Sequence, residues 1–81
     1  MYKMGGKIMN TLDKLNIGDK IKVKNIERDS AVRRKLLDMG ITPGVEIEVT
    51  GKAPMGDPLE VLVRGYKLTL RKNEAKVISG E

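Results

Sequence analysis

The sequence predicts a small, mainly β barrel of about five short strands, with one α-helix inserted between the first and second strands and short helical turns. Three observations carry this. Apolar and polar residues alternate with period two in several stretches, among them Lys20 to Ile26, Val45 to Thr50, Leu59 to Val63 and Tyr66 to Leu70. Turn signals built on glycine or proline separate them at short intervals. A single stretch, Val32, Leu36 and Met39, has the i, i+4, i+7 spacing of one helix face.

The chain has 81 residues, enough for one small domain. A domain of that size buries only roughly 60–65% of its unfolded surface. With no Phe and no Trp, its core has to be aliphatic. Residues 1–9 (MYKMGGKIM) show no period and read as a flexible N-terminal extension, leaving 10–81 as the domain. Thr11 is placed to cap one helical turn carrying Leu12 and Leu15, and Gly18-Asp19 turns the chain into the first strand. In that strand Ile21 and Val23 point one way and Lys20, Lys22 and Lys24 the other. Ile26 breaks the parity, which predicts a bulge near Asn25.

Asp29 or Ser30 is positioned to cap the main helix, whose outer face would carry Arg33, Arg34 and Lys35. Gly40 follows Met39 where a left-handed residue ends a helix, and Leu36 and Ile41 then supply the apolar contact of a Schellman stop. Thr42-Pro43-Gly44-Val45 fits a type II turn. In the next strand Val45, Ile47 and Val49 face inward, and Glu46, Glu48 and Thr50 outward. A two-residue turn at Arg64-Gly65 pairs Val63 with Tyr66, Val61 with Leu68 and Leu59 with Leu70, all on the inner face. Arg64 is a poor residue for a type I′ turn, so a turn with a Gly bulge is an alternative. One helical turn over Lys72 to Ala75 and a closing strand at Val77-Ile78 complete the chain.

Composition excludes several function classes. Without Cys there is no disulfide, Fe–S cluster or thiolate metal site, and without His the commonest transition-metal ligand and general base are missing. The glycine-rich stretch from Gly44 to Lys52 has six residues between its glycines and Ala53 after the lysine. A Walker A loop needs four, then Ser or Thr, so nucleotide hydrolysis is rejected. Glu46 and Glu48 stand about 7 Å apart along one strand face. Nothing apolar is expected beside them, and they read as a solvated pair set against Lys22 or Lys24. No enzyme constellation and no cofactor or metal site is expected. No apolar run approaches the ~20 residues of a membrane span, and a cytoplasmic location is the expectation.

Leu36-x-x-Met39-Gly40-Ile41-x-Pro43-Gly44, then Ala53-Pro54-x-Gly56-Asp57-Pro58, then Leu68-x-Leu70-Arg71-x-x-x-Ala75, in this order and spacing, resemble the FeoA family over about Leu12 to Ile78. The resemblance implies an SH3-like barrel. It also implies a non-enzymatic accessory protein of bacterial ferrous iron uptake, whose partner is the cytoplasmic GTPase region of the FeoB transporter. Docking is expected through the helix outer face (Arg33, Arg34, Leu37) and the tip of the Gly/Pro loop (Met55, Asp57), with Leu62, outward on its strand, as a further candidate. For Leu37 the competing reading is that the barrel covers it. For Leu62 it is cover by Leu12 and Leu15. The rival function, suggested by the net charge of +5, is a small basic barrel binding RNA or DNA through its Lys/Arg face. Small barrels that do so add aromatic platforms, and the expected inward side chain of Tyr66 argues against it.

Overall fold

The computed structural model describes residues 10–28 and 31–81. The expected extension 1–9 and the expected helix cap at Asp29 or Ser30 lie outside them. In chain order the elements are β1 (Asn10–Thr11), a 3-10 turn (Leu12–Lys14), β2 (Lys20–Ile26), α1 (Arg33–Asp38), β3 (Glu46–Lys52), β4 (Leu59–Val63), β5 (Tyr66–Leu70), α2 (Lys72–Ala75) and β6 (Ile78–Gly80). The strands form one antiparallel sheet in the order β1-β6-β2-β3-β4-β5.

Local chemistry builds each junction. At the end of α1 the Gly40 N–H donates to the Leu37 carbonyl and the Ile41 N–H to the Leu36 carbonyl, both at 3.0 Å. Gly40 has φ +92°, which a residue with a Cβ tolerates poorly. Leu36 and Ile41 are both fully buried, so the predicted Schellman stop forms with its apolar contact. The Val45 N–H then returns to the Thr42 carbonyl (3.1 Å) with Gly44 at φ +101°, the expected type II turn. That turn is docked on β2: Gly44 donates to the Val23 carbonyl (2.7 Å) and Val23 to the Val45 carbonyl (2.8 Å). The β2–β6 register shifts between Val23 and Asn25, the predicted bulge, which lets both Val23 and Ile26 reach the core.

The β4–β5 hairpin has the expected register, Val63 to Tyr66, Val61 to Leu68 and Leu59 to Leu70. Its turn differs from the alternative with a Gly bulge. Arg64 and Gly65 both have positive φ, +52° and +85°, the signs of a type I′ turn, which matches the twist of the paired strands. Tyr66 also differs. It is 73% exposed, not inward. The parity is right, but burial fades along the edge strand β5 from Leu70, fully buried, through Leu68, half-buried, to Tyr66, although its register partner Val63 on β4 is still buried, so the core stops between β4 and the far end of β5.

Thr11 makes no side-chain capping bond to the 3-10 turn. Its extended backbone instead pairs with Ser79, and β1 becomes a sixth strand. The closing strand starts one residue later than expected. Val77 stays in a turn, its carbonyl accepting the Glu27 N–H (2.9 Å), and β6 runs Ile78–Gly80 between β1 and β2. At Gly80 a Cβ would fall onto the Lys22 carbonyl, so the close approach of β6 to β2 requires glycine there. Among the described residues the buried apolar core is wholly aliphatic, and Leu12, Leu36, Ile41, Ile47, Leu59 and Leu70 are its largest fully enclosed leucine and isoleucine side chains outside β6.

Candidate docking surface

The loop between β3 and β4 is closed by its own backbone. Ala53 donates to the Pro58 carbonyl (3.1 Å) and Gly56 to the Ala53 carbonyl (2.7 Å). Lys52, at its base, donates its Nζ to the Leu15 carbonyl (2.7 Å), which anchors the loop to the end of the 3-10 turn. Met55 stands at the tip, 85% exposed. Asp57 is exposed, but its Oδ1 accepts the Lys72 N–H (3.0 Å) at the start of α2. One carboxylate oxygen is therefore committed to the fold.

From α2 the connection continues to α1. Glu74 is buried, yet its carboxylate takes two charge-assisted bonds: the Lys35 Nζ at 2.6 Å and the Arg71 N–H at 2.9 Å. The Lys35 ammonium, bonded to it, holds the Glu74 carboxyl below its ordinary value. Burial pulls the other way, and the Arg71 backbone adds to the lowering. Hydrogen bonds thus run from the loop (Asp57) through α2 (Lys72, Glu74) to α1 (Lys35), so α2 ties the loop and the helix to one another.

On α1 the expected residues divide. Arg34 is displayed, its side chain 88% exposed and only loosely paired with Asp38 at 3.8 Å. Arg33 is half-buried. Its Nε is shut off from solvent with no hydrogen-bond partner among the described residues, so its stem lies against the protein. Leu37 is half-buried and packs against the core. The barrel therefore covers Leu37, as the competing reading had it, and Leu37 does not belong to a bare outer face. Leu36 and Leu37 point about 100° apart on the helix, and a short helix pressed on a barrel buries both flanks of its apolar stripe.

Leu62 belongs elsewhere. Leu12 lies in the core and Leu15 packs against that core, while Leu62 is half-buried and is not among the apolar side chains packed there. Leu62 lines a cleft of about 450 Å³ with Val45, Glu46, Glu48 and Arg64. Across the sheet, Lys20 pairs in register with Glu48, Glu48 with Leu62, and Leu62 with Lys67. Glu46 sits opposite Lys22. The two carboxylates are thus set against lysines on a solvated face. Among the described residues no cluster of three or more acidic side chains is arranged to hold a metal ion, and no helix is long and apolar enough to cross a membrane.

Two features escaped the sequence reading. Glu74 lies 39 residues from Lys35, and its only local signal is a glutamate three residues into a helical turn. For Tyr66 strand parity predicts an inward side chain but says nothing about where the core ends.

A model of the FeoA domain matches residues 10–81. The Fe(2+) transport protein A/Fe(2+) transporter FeoB fusion protein of Porphyromonas gingivalis is 31% identical over 70 residues, which is 86% of this chain and 8% of that protein. The chain thus spans less than a tenth of the length of that curated relative. Among solved structures, an FeoA-like protein from Clostridium acetobutylicum superposes with a TM-score of 0.87 at 50% identity, covering 94% of this chain and 88% of its own. The zinc complex of Stenotrophomonas maltophilia FeoA, described as a prokaryotic SH3 domain protein, superposes with a TM-score of 0.77 at 29% identity, covering 89% of both chains. With the family model matched across the whole six-stranded sheet, this chain belongs to the FeoA family of SH3-like domains linked to ferrous iron transport.

Proposed function

We propose that this chain, with residues 10–81 as its folded unit, is a non-enzymatic cytoplasmic accessory of ferrous iron uptake that docks on the cytoplasmic GTPase region of the FeoB transporter and modulates it. The observation that carries the reading is the covalent joining of an FeoA-like segment to FeoB in the Porphyromonas gingivalis relative. Two partners encoded as one chain are held at a high effective concentration, an arrangement that suits an association made repeatedly. The contact residues we assign are Arg34, Met55 and Asp57, with Arg33 and Leu37 as partly covered flanks and Leu62 on a separate face. Met55 suits the role because it is a mobile apolar side chain held out on a loop whose backbone is already ordered.

The test is capture of the purified FeoB cytoplasmic region by wild type, Met55→Asp and Arg34→Glu. Both positions are exposed, so folding should be unchanged. Leu37→Asp is unsuitable because it would place a charge against the core. Capture by wild type and a loss of at least about tenfold in either variant supports the assignment. Equal capture by all three removes the contact residues, and no capture by wild type removes the partner.

A second reading gains support from Tyr66, exposed between Arg64 and Lys67 at the hairpin end, which supplies one aromatic platform for a nucleic acid. It predicts an affinity for single-stranded oligonucleotides that falls steeply with salt. An affinity insensitive to salt, or none, dismisses it.

A further inference from the structure

We propose that the free edge of β5 accepts an added strand, and that its occupant is an extended acidic segment of a partner protein in which carboxylates alternate with aliphatic residues. This rests on reading the chain as a protein-docking module.

Among the described residues the strand order leaves β5 last, paired only with β4. In a hairpin closed by Val63 and Tyr66, the ladder bonds to β4 come from Tyr66, Leu68 and Leu70. The N–H and C=O groups of Lys67 and Thr69 therefore point away from the sheet. Among the described residues nothing bonds them. Such a row of unpaired groups is a template for another strand.

The side chains specify what kind of strand. On the outer face Lys67 and Thr69 are exposed. On the inner face Leu68 is only half-buried and Tyr66 is 73% exposed, so apolar surface beside the edge lacks cover. From Val61 to Asn73 the chain carries Arg64, Lys67, Arg71 and Lys72 and no carboxylate; the one acid beside this stretch, Glu60, lies opposite Thr69 on β4 and accepts the Thr50 hydroxyl. A second copy paired β5 to β5 would bring two such sets together, which like-charge repulsion opposes. Lysine on an edge also discourages indiscriminate pairing. An acidic strand turns that obstacle into attraction, and the exposed tyrosine, which a merely protective edge does not require, offers the kind of anchor found at binding hot spots. Because successive side chains of a strand alternate faces, the incoming segment would set acids over Lys67 and Thr69 and aliphatics over Leu68 and Tyr66.

Two probes are titrated into the full chain: the blocked peptide Val-Glu-Val-Glu-Val-Glu-Val, with its Lys counterpart as control, and the FeoB cytoplasmic region. Amide exchange is read by NMR. Thr69→Pro removes one outward donor and leaves the β4 ladder intact, and Lys67→Glu reverses the edge charge. Thermal unfolding checks that both variants remain folded. The inference stands if either probe slows exchange of the Lys67 and Thr69 amides and Thr69→Pro weakens that probe at least about tenfold. Lys67→Glu should do the same to the acidic peptide. If the peptide meets this standard while the FeoB region does not bind, the docking partner is wrong and the edge site remains. If the FeoB region binds Thr69→Pro as tightly as wild type and the peptide does not bind, docking survives and the edge site is overturned. It is equally overturned if neither probe protects these amides, if the Lys peptide binds as well as the acidic one, or if only an oligonucleotide occupies the edge.

Discussion

Replacing Glu74 by Gln should destabilise the protein at neutral pH by about 1.5–2 kcal/mol, and the loss should vanish in acid. Glutamine keeps the shape of the side chain and an oxygen for the Arg71 N–H, now 2.9 Å away. It removes the charge. A bond to a charged acceptor contributes ~1.5–3 kcal/mol and a neutral one ~0.5–1.5, so the Arg71 bond weakens by about 1 kcal/mol. The Lys35 pair is short at 2.6 Å, but the Lys35 side chain is 61% exposed, and solvent screening holds its share to roughly 0.5–1 kcal/mol. For a chain of this length the sum corresponds to a fall in Tm of about 10 °C. The pH dependence follows from the direction of the shift. The folded carboxyl lies below its ordinary value of 4.5, so its contribution is complete above that value and is lost as pH falls through the folded value. Below it, wild type carries a neutral acid that resembles glutamine. Thermal unfolding of both proteins from about pH 7 to about pH 2.5 measures this, and a Lys35→Met, Glu74→Gln double-mutant cycle isolates the pair. A difference that stays constant across that range, or a coupling energy indistinguishable from zero, would refute the account of α2 clamped to α1 by a buried charge.

Two other substitutions probe the frame. Gly80→Ala puts a methyl group onto the Lys22 backbone carbonyl, which cannot rotate away, so β2 and β6 must separate. A loss above about 3 kcal/mol in denaturant unfolding is expected, and a loss under about 1 kcal/mol would mean the strands do not approach so closely. Tyr66→Ser should change stability by less than about 0.5 kcal/mol because the ring is mostly in solvent. A loss of about 2 kcal/mol in the same assay would return Tyr66 to the core.

What the sequence disclosed was local. The Schellman stop at Gly40, the turn at Pro43-Gly44, the bulge at Asn25 and the Val63–Tyr66 register each depend on residues within a few positions of one another, and all are present. What it concealed depends on distance. Thr11 reads as a cap, yet it becomes a strand residue because Ser79 arrives beside it from the far end of the domain. For Leu37 the sequence leaves exposure and cover both open until the barrel lies under both flanks of α1. Asp57 reads as a free loop-tip acid until α2 places the Lys72 N–H against it. In the candidate surface the tip residue Met55 was legible, since a Gly/Pro loop on a strand pair has to project. The link from loop to helix through Glu74 was not, since it joins side chains 39 residues apart.

The pairing of Asn10 with Gly80 has a further consequence. It brings the first and last strands of the domain together as neighbours, so a polypeptide could run in and out of this unit at nearly one point. The separation of its ends is already fixed by the sheet, and a connection made there asks no strain of the rest. A domain with that geometry can be appended to a much larger protein as a pendant. The attached chain would leave from the β1 end of the strand order, while β5 lies at the other end.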